Sequence, residues 1–98
     1  MPKPRIPVAS TPIRQVINIG PVCGAELESI GIRTYGDFEK LGWEKTLTAY
    51  TRAYPARLNN IVCWGFLGSL LNIPYQQMPE ELKEKGKALC AKLKKERR

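Results

Sequence analysis

Proline and glycine punctuate this chain so densely that no regular element can run far. Breakers stand at Pro12, Gly20-Pro21, Gly31, Gly42, Pro55, Pro74 and Pro79. Proline fixes its own backbone and lacks a donor, while glycine ends helices by adopting the left-handed conformation. The segments left between them are short, and their apolar residues recur at helical spacing rather than alternating. The expectation is an all-α fold, a compact bundle of about five or six short helices.

Local signals place each helix. Thr11-Pro12 suits a helix start, giving a short helix to about Val16. Asn18-Ile19-Gly20 then turns the chain, with Gly20 supplying backbone freedom, and Pro21 restarts a helix that Gly31 terminates. Thr34 with Asp37 is a variant of the capping box and opens a helix through Leu41. Leu47, Tyr50 and Tyr54 mark a helix over 43–54, closed by Pro55. Asn59 or Asn60 caps an apolar helix holding Ile61, Val62, Trp64, Phe66, Leu67, Leu70 and Leu71. So apolar a helix is expected to be largely surrounded, with Gly65, Gly68 and Ser69 letting a neighbouring helix approach closely. The last helix begins at Pro79 with Glu80-Glu81, and Leu82, Gly86, Leu89, Cys90 and Leu93 form its buried stripe. Residues 1–11 read as an extended arm, 12–95 as a single domain and 96–98 as its basic end.

Several function classes are excluded on chemical grounds. The longest apolar run, Ile61 to Leu71, is interrupted and falls short of the roughly 18–20 residues that span a bilayer. The first residues carry no apolar stretch suited to a secretory signal. Cys23, Cys63 and Cys90 form an odd, widely spaced set, which suits reduced thiols in the cytoplasm. The chain has no histidine, no CxxC and one aspartate, Asp37, so neither a metal site, a cofactor nor a catalytic base is expected. Cys23 lies near a helix N-terminus, where a thiol pKa can fall, but without a base it reads as inert. No enzyme activity and no small-molecule substrate are expected.

The net charge of +7 is concentrated: residues 83–98 carry eight basic groups against Glu84 and Glu96. Lys87, Lys94, Lys95, Arg97 and Arg98 are therefore candidate contacts to a polyanion, binding without sequence preference. Tryptophans and tyrosines do not interleave with these lysines along the sequence, so a base-stacking platform is not indicated.

The ordered set NIGP at 18–21, Leu27 before Gly31-Ile32-Arg33-Thr34, Asp37-Phe38, Leu41-Gly42, Tyr50, Asn60, the Trp64–Leu71 run and Met78-Pro79-Glu80-Glu81 resembles the C-terminal domain of the TfoX/Sxy competence-regulator family. The resemblance covers Asn18 to Leu93. It implies a small bacterial regulatory or binding module with a helix-hairpin-helix-like element. Full-length members place another domain before this one, whereas here a twelve-residue proline-containing arm precedes it. Only the module, and not competence regulation, carries over.

A helix-hairpin-helix holds phosphate on free amides at the second helix's N-terminus. Here those are Val22, Cys23 and Gly24 after Gly20, with Arg14 and Arg33 able to flank them. Against this, Pro21 deletes a donor, and Glu26 and Glu28 would repel phosphate. Two readings follow: weak sequence-independent nucleic-acid binding through the turn and the basic helix, or a structural hairpin in a module that binds a protein partner or itself.

Overall fold

The computed structural model describes residues 6–96. Five α-helices account for most of it: α1 (Pro21–Ser29), α2 (Tyr35–Leu41), α3 (Trp43–Ala53), α4 (Asn60–Leu71) and α5 (Glu80–Glu96). Three single 3-10 turns punctuate them, at Ile13–Gln15, Pro55–Arg57 and Tyr75–Gln77. The bundle is all-α, and the described residues contain no strand beyond one isolated bridge between Pro12 and Thr34.

The caps explain where the helices stop. α1 ends in a complete Schellman arrangement: the Ile32 amide bonds the Leu27 carbonyl and the Gly31 amide bonds that of Glu28, both at 3.0 Å. That geometry requires a left-handed residue, and Gly31 has φ +92°. Three residues later the Thr34 hydroxyl accepts from the Asp37 amide while an Asp37 carboxylate oxygen accepts from the Thr34 amide, both at 3.2 Å. The capping box therefore forms with aspartate in the glutamate position. Asn59, not Asn60, caps α4, accepting from the Val62 amide at 2.9 Å.

Phe66 of α4 sits at the centre of the core. Its ring stacks on Tyr50 at 5.4 Å and meets Phe38 edge-on at 6.1 Å, contacts that each add about 0.5–1.5 kcal/mol to the burial itself. Ile13, Leu27 and Leu47 are fully buried around it. Cys63 and Cys90 are buried where α4 meets α5, and burial together with the neighbouring Cys90 thiol pushes the Cys63 thiol pKa up. Of the expected stripe on α5, Gly86, Cys90 and Leu93 are buried and Leu82 and Leu89 half-buried.

Four expectations are corrected. The helix expected from Pro12 to Val16 is a single 3-10 turn, so the hairpin's first arm is one turn long. The turn's left-handed residue is Asn18 (φ 69°), whereas Gly20 has an extended backbone that any residue can adopt. The small residues of α4 admit a turn rather than a helix: Ser69 donates to the Ile17 carbonyl at 2.7 Å, and a Cβ on Gly68 would lie 2.6 Å from the Ile73 carbonyl oxygen. The close helix approach falls instead on Gly86, where a Cβ would lie 2.6 Å from Trp64 Cα. Finally, α4 is enclosed along its middle but leaves Ile61 and Leu71 about half exposed at its ends.

Residues 8–12, read from sequence as mostly extended arm, are held by backbone bonds. The Tyr35 amide donates to the Thr11 carbonyl at 2.8 Å, Gly36 to Ala9 at 3.0 Å, and Ile13 to Arg33 at 2.9 Å. This strap docks on the start of α2.

Candidate functional site

The turn over 17–20 is built by Asn18. Its amide nitrogen donates to the Ile73 and Gly65 carbonyls at 2.8 and 3.1 Å, and its carbonyl oxygen accepts from the Tyr75 amide at 2.9 Å. One side chain thus ties the entry of α1 both to α4 and to the loop that follows it. Asparagine suits the position because it tolerates the left-handed conformation and carries both a donor and an acceptor.

Of the three amides expected to grip phosphate, one is already used. The Gly24 amide donates to the Gly20 carbonyl at 2.7 Å. Gly24 is buried against Arg14, where a Cβ would come within 2.5 Å of Arg14 Cγ and 2.9 Å of its Cα. Its glycine therefore serves packing. Pro21 stands at the first helical position and has no donor. Of the three, the amides of Val22 and Cys23 are left without a backbone or side-chain bond among the described residues.

The charges pair. Arg14 holds Glu28 in a two-pronged contact, with Nε–Oε2 at 3.0 Å and Nη2–Oε1 at 2.8 Å. Glu26 receives a second fork from Arg57, at 3.0 and 3.1 Å, and the Tyr50 hydroxyl donates to Glu26 at 2.6 Å. The glutamates expected to repel phosphate are neutralised, and by the same contacts Arg14 is committed within the fold. Arg33 is exposed, and its charge helps hold the Glu28 carboxyl low. Lys87 lies over the Trp64 ring, 5.7 Å from its centroid, and pairs with Glu84 at 3.6 Å. Lys94 and Lys95 are exposed in the last turn of α5. Arg97 and Arg98 lie outside the described residues.

What the α1 N-terminus borders is an apolar groove of about 290 Å³. Val22, Cys23 and Glu26 form one wall, Ile61, Val62 and Phe66 of α4 the other, with Tyr50, Arg57 and Tyr75 closing it. Its rim is unusually apolar, with Val22 64% and Ile61 52% exposed. Its two lining charges, Glu26 and Arg57, satisfy each other at one end. Burial raises the Cys23 thiol pKa, opposite to the lowering that a helix N-terminus alone would give. The groove carries no signal in sequence: Glu26 and Arg57 stand 31 positions apart, and Ile61 reads there only as one apolar residue of a surrounded helix.

The ionised network sets an acid dependence. The Arg57 guanidinium, then the Tyr50 hydroxyl, holds the Glu26 carboxyl below its ordinary value of 4.5; Arg14 does the same for Glu28. The Arg33 amide, then that of Thr34, lowers Asp37 from 3.8. A carboxyl whose pKa is depressed by folding stabilises the fold fully above its unfolded value, and loses that contribution as pH falls through the folded one. Melting temperature should therefore hold between pH 7 and 5 and fall below about pH 4.5. Glu26→Gln should lower it at pH 7 and shrink the drop between pH 5 and 3. An unchanged acid slope in that variant would contradict the network's role.

Residues 9–89 match the family described as TfoX C-terminal domain. Neither curated proteins nor solved structures yielded a match. Among the described residues, no helix is long and apolar enough to cross a membrane, and no three metal-ligating side chains cluster.

Proposed function

Because the chain belongs to the TfoX C-terminal domain family, we propose that this regulatory module is a non-enzymatic protein-binding unit whose docking site is the groove between α1 and α4. The observation that carries the reading is the exposed apolar rim of Val22 and Ile61 over a cavity whose charges are already paired. Apolar surface of this kind is stabilised by covering it, and an apolar anchor side chain from a partner fits a pocket of this size. Phosphate finds little to hold there: Pro21 lacks a donor, the Gly24 amide is used, and Arg14 and Arg57 are each forked onto a glutamate. The occupant we assign is a segment of another protein that presents one or two large apolar residues. The setting in this reading is the bacterial cytoplasm, where the three thiols stay reduced.

The test compares the wild type with Ile61→Glu, at a position about half exposed on the groove's rim. Immobilised wild-type module should retain a protein from extract of its own cells at about 0.5 M salt, conditions that screen charge contacts. The variant, with an unaltered circular dichroism spectrum, should lose it. Recovery of nucleic acid alone, or equal retention by both, would overturn the proposal.

A further inference from the structure

Four of the six lysines of α5 fall into two pairs on opposite flanks of the helix. At 3.6 residues per turn, Lys83 and Lys87 lie to one side of the buried Gly86–Cys90–Leu93 stripe, and Lys85 and Lys92 to the other. Each flank meets a tryptophan. The ammonium groups of Lys83 and Lys87 lie over the Trp64 ring, 5.5 and 5.7 Å from its centroid, and so are engaged within the fold. On the other flank, Lys85 and Lys92 line an open concavity of about 470 Å³ together with Trp43 at the start of α3, Glu44, Ala88 and Leu89. Among the described residues neither of these lysines has an ion-pair partner.

The arrangement reverses an expectation from sequence, where no aromatic stands among the basic residues. Folding carries Trp43 across 42 positions to the face that holds Lys85. We propose that this concavity binds single-stranded nucleic acid, with one base laid against Trp43 over the Ala88–Leu89 floor and the flanking phosphates held by Lys85 and Lys92. Three features carry it. A half-buried indole at a cationic edge is the platform on which an unstacked base gains most. The two lysines stand seven residues apart on one helix, about 10 Å along its axis, one on either side of the Ala88–Leu89 floor. Small Ala88 and apolar Leu89 lie between them, where a ring can enter but a hydrated ion gains nothing. Duplex nucleic acid keeps its bases stacked inside and could use only the lysines, so the strand is the better fit. Glu44 is the one acid in the lining and limits the site to few phosphates.

This site is separate from the α1–α4 groove and stands or falls without it. The test is fluorescence anisotropy with a labelled thymidine oligonucleotide of about 12 nucleotides, a length within the usual single-domain site size, at about 50 mM salt. Binding should quench Trp43 emission in a Trp64→Phe background. Lys85→Gln with Lys92→Gln should weaken binding about tenfold and reduce the slope of log K against log salt by about 1.4, or 0.7 for each phosphate no longer neutralised. Lys94→Gln with Lys95→Gln, the same charge change elsewhere on α5, should alter affinity less than threefold. Equal losses from both pairs, unchanged Trp43 emission at saturation, equal or tighter binding of the matching duplex or of polyglutamate, or no binding at all would each overturn the proposal. Should Trp64→Phe fail to fold, the two lysine pairs still decide the question.

Discussion

Asn18→Ala should be the most damaging single change at a partly exposed position, lowering stability by about 3–5 kcal/mol. Three bonds vanish at once, each worth about 0.5–1.5 kcal/mol. The Gly65 carbonyl keeps a second donor in the Ser69 hydroxyl, but the Ile73 carbonyl loses its side-chain donor and the Tyr75 amide its acceptor. Alanine must also hold φ near 69°, which costs a residue with a Cβ about 1–2 kcal/mol. In a domain of this size the sum corresponds to a melting temperature lower by roughly 15–25 °C. Two companions separate the contributions. Asn18→Gly relieves the backbone cost alone and should recover about 1 kcal/mol. Asn18→Asp keeps the acceptor for Tyr75 but faces the Ile73 carbonyl with an oxygen, and should be no better than alanine. A loss under about 1 kcal/mol in Asn18→Ala would mean that the turn is held by something else.

Gly86→Ala should destabilise, against the ordinary rule for a helix interior. There the exchange gains about 1 kcal/mol, because alanine is the better helix former. At position 86 the new Cβ would lie 2.6 Å from Trp64 Cα and 2.7 Å from its backbone nitrogen and Cβ, atoms that cannot swing aside. α5 would have to lift away from α4, and overpacking of this sort costs about 1–3 kcal/mol or more. The net expectation is a loss of about 2 kcal/mol, near 10 °C in melting temperature by calorimetry. Gly20→Ser is the control: nothing lies within 4 Å of its Cβ position, and serine is a good cap, so stability should stay within about 0.5 kcal/mol. A neutral or stabilising Gly86→Ala would show that the two helices are not in close contact there.

The parts of this fold legible in sequence are those decided within one helical turn. Thr34 and Asp37 are three residues apart, and Gly31 needs only its own backbone to stop α1, so neighbouring residues alone suffice to place both. The buried stripe of α5 follows from helical periodicity. What sequence does not disclose depends on distance along the chain. Arg14 finds Glu28 across 14 positions and Arg57 finds Glu26 across 31, and these pairings turn apparent repulsion at the α1 entry into neutrality. Gly65, Gly68 and Ser69 announce a close approach without saying by what, and a turn rather than a helix takes the space. Trp43 looks remote from every lysine of the last helix because nothing local records the meeting of α3 with α5.

The three bonds of Asn18 reach 47, 55 and 57 residues ahead. On a ribosome adding about 5–20 residues per second, Tyr75 is made roughly 3 to 11 s after Asn18. Through that interval α1 is synthesised and can be closed at Gly31, yet the turn that aims it has no anchor. The groove whose walls are α1 and α4 is then completed by the loop that follows α4. The turn that aims α1 is translated before every partner of its Asn18 side chain, and so is among the last parts to be fastened.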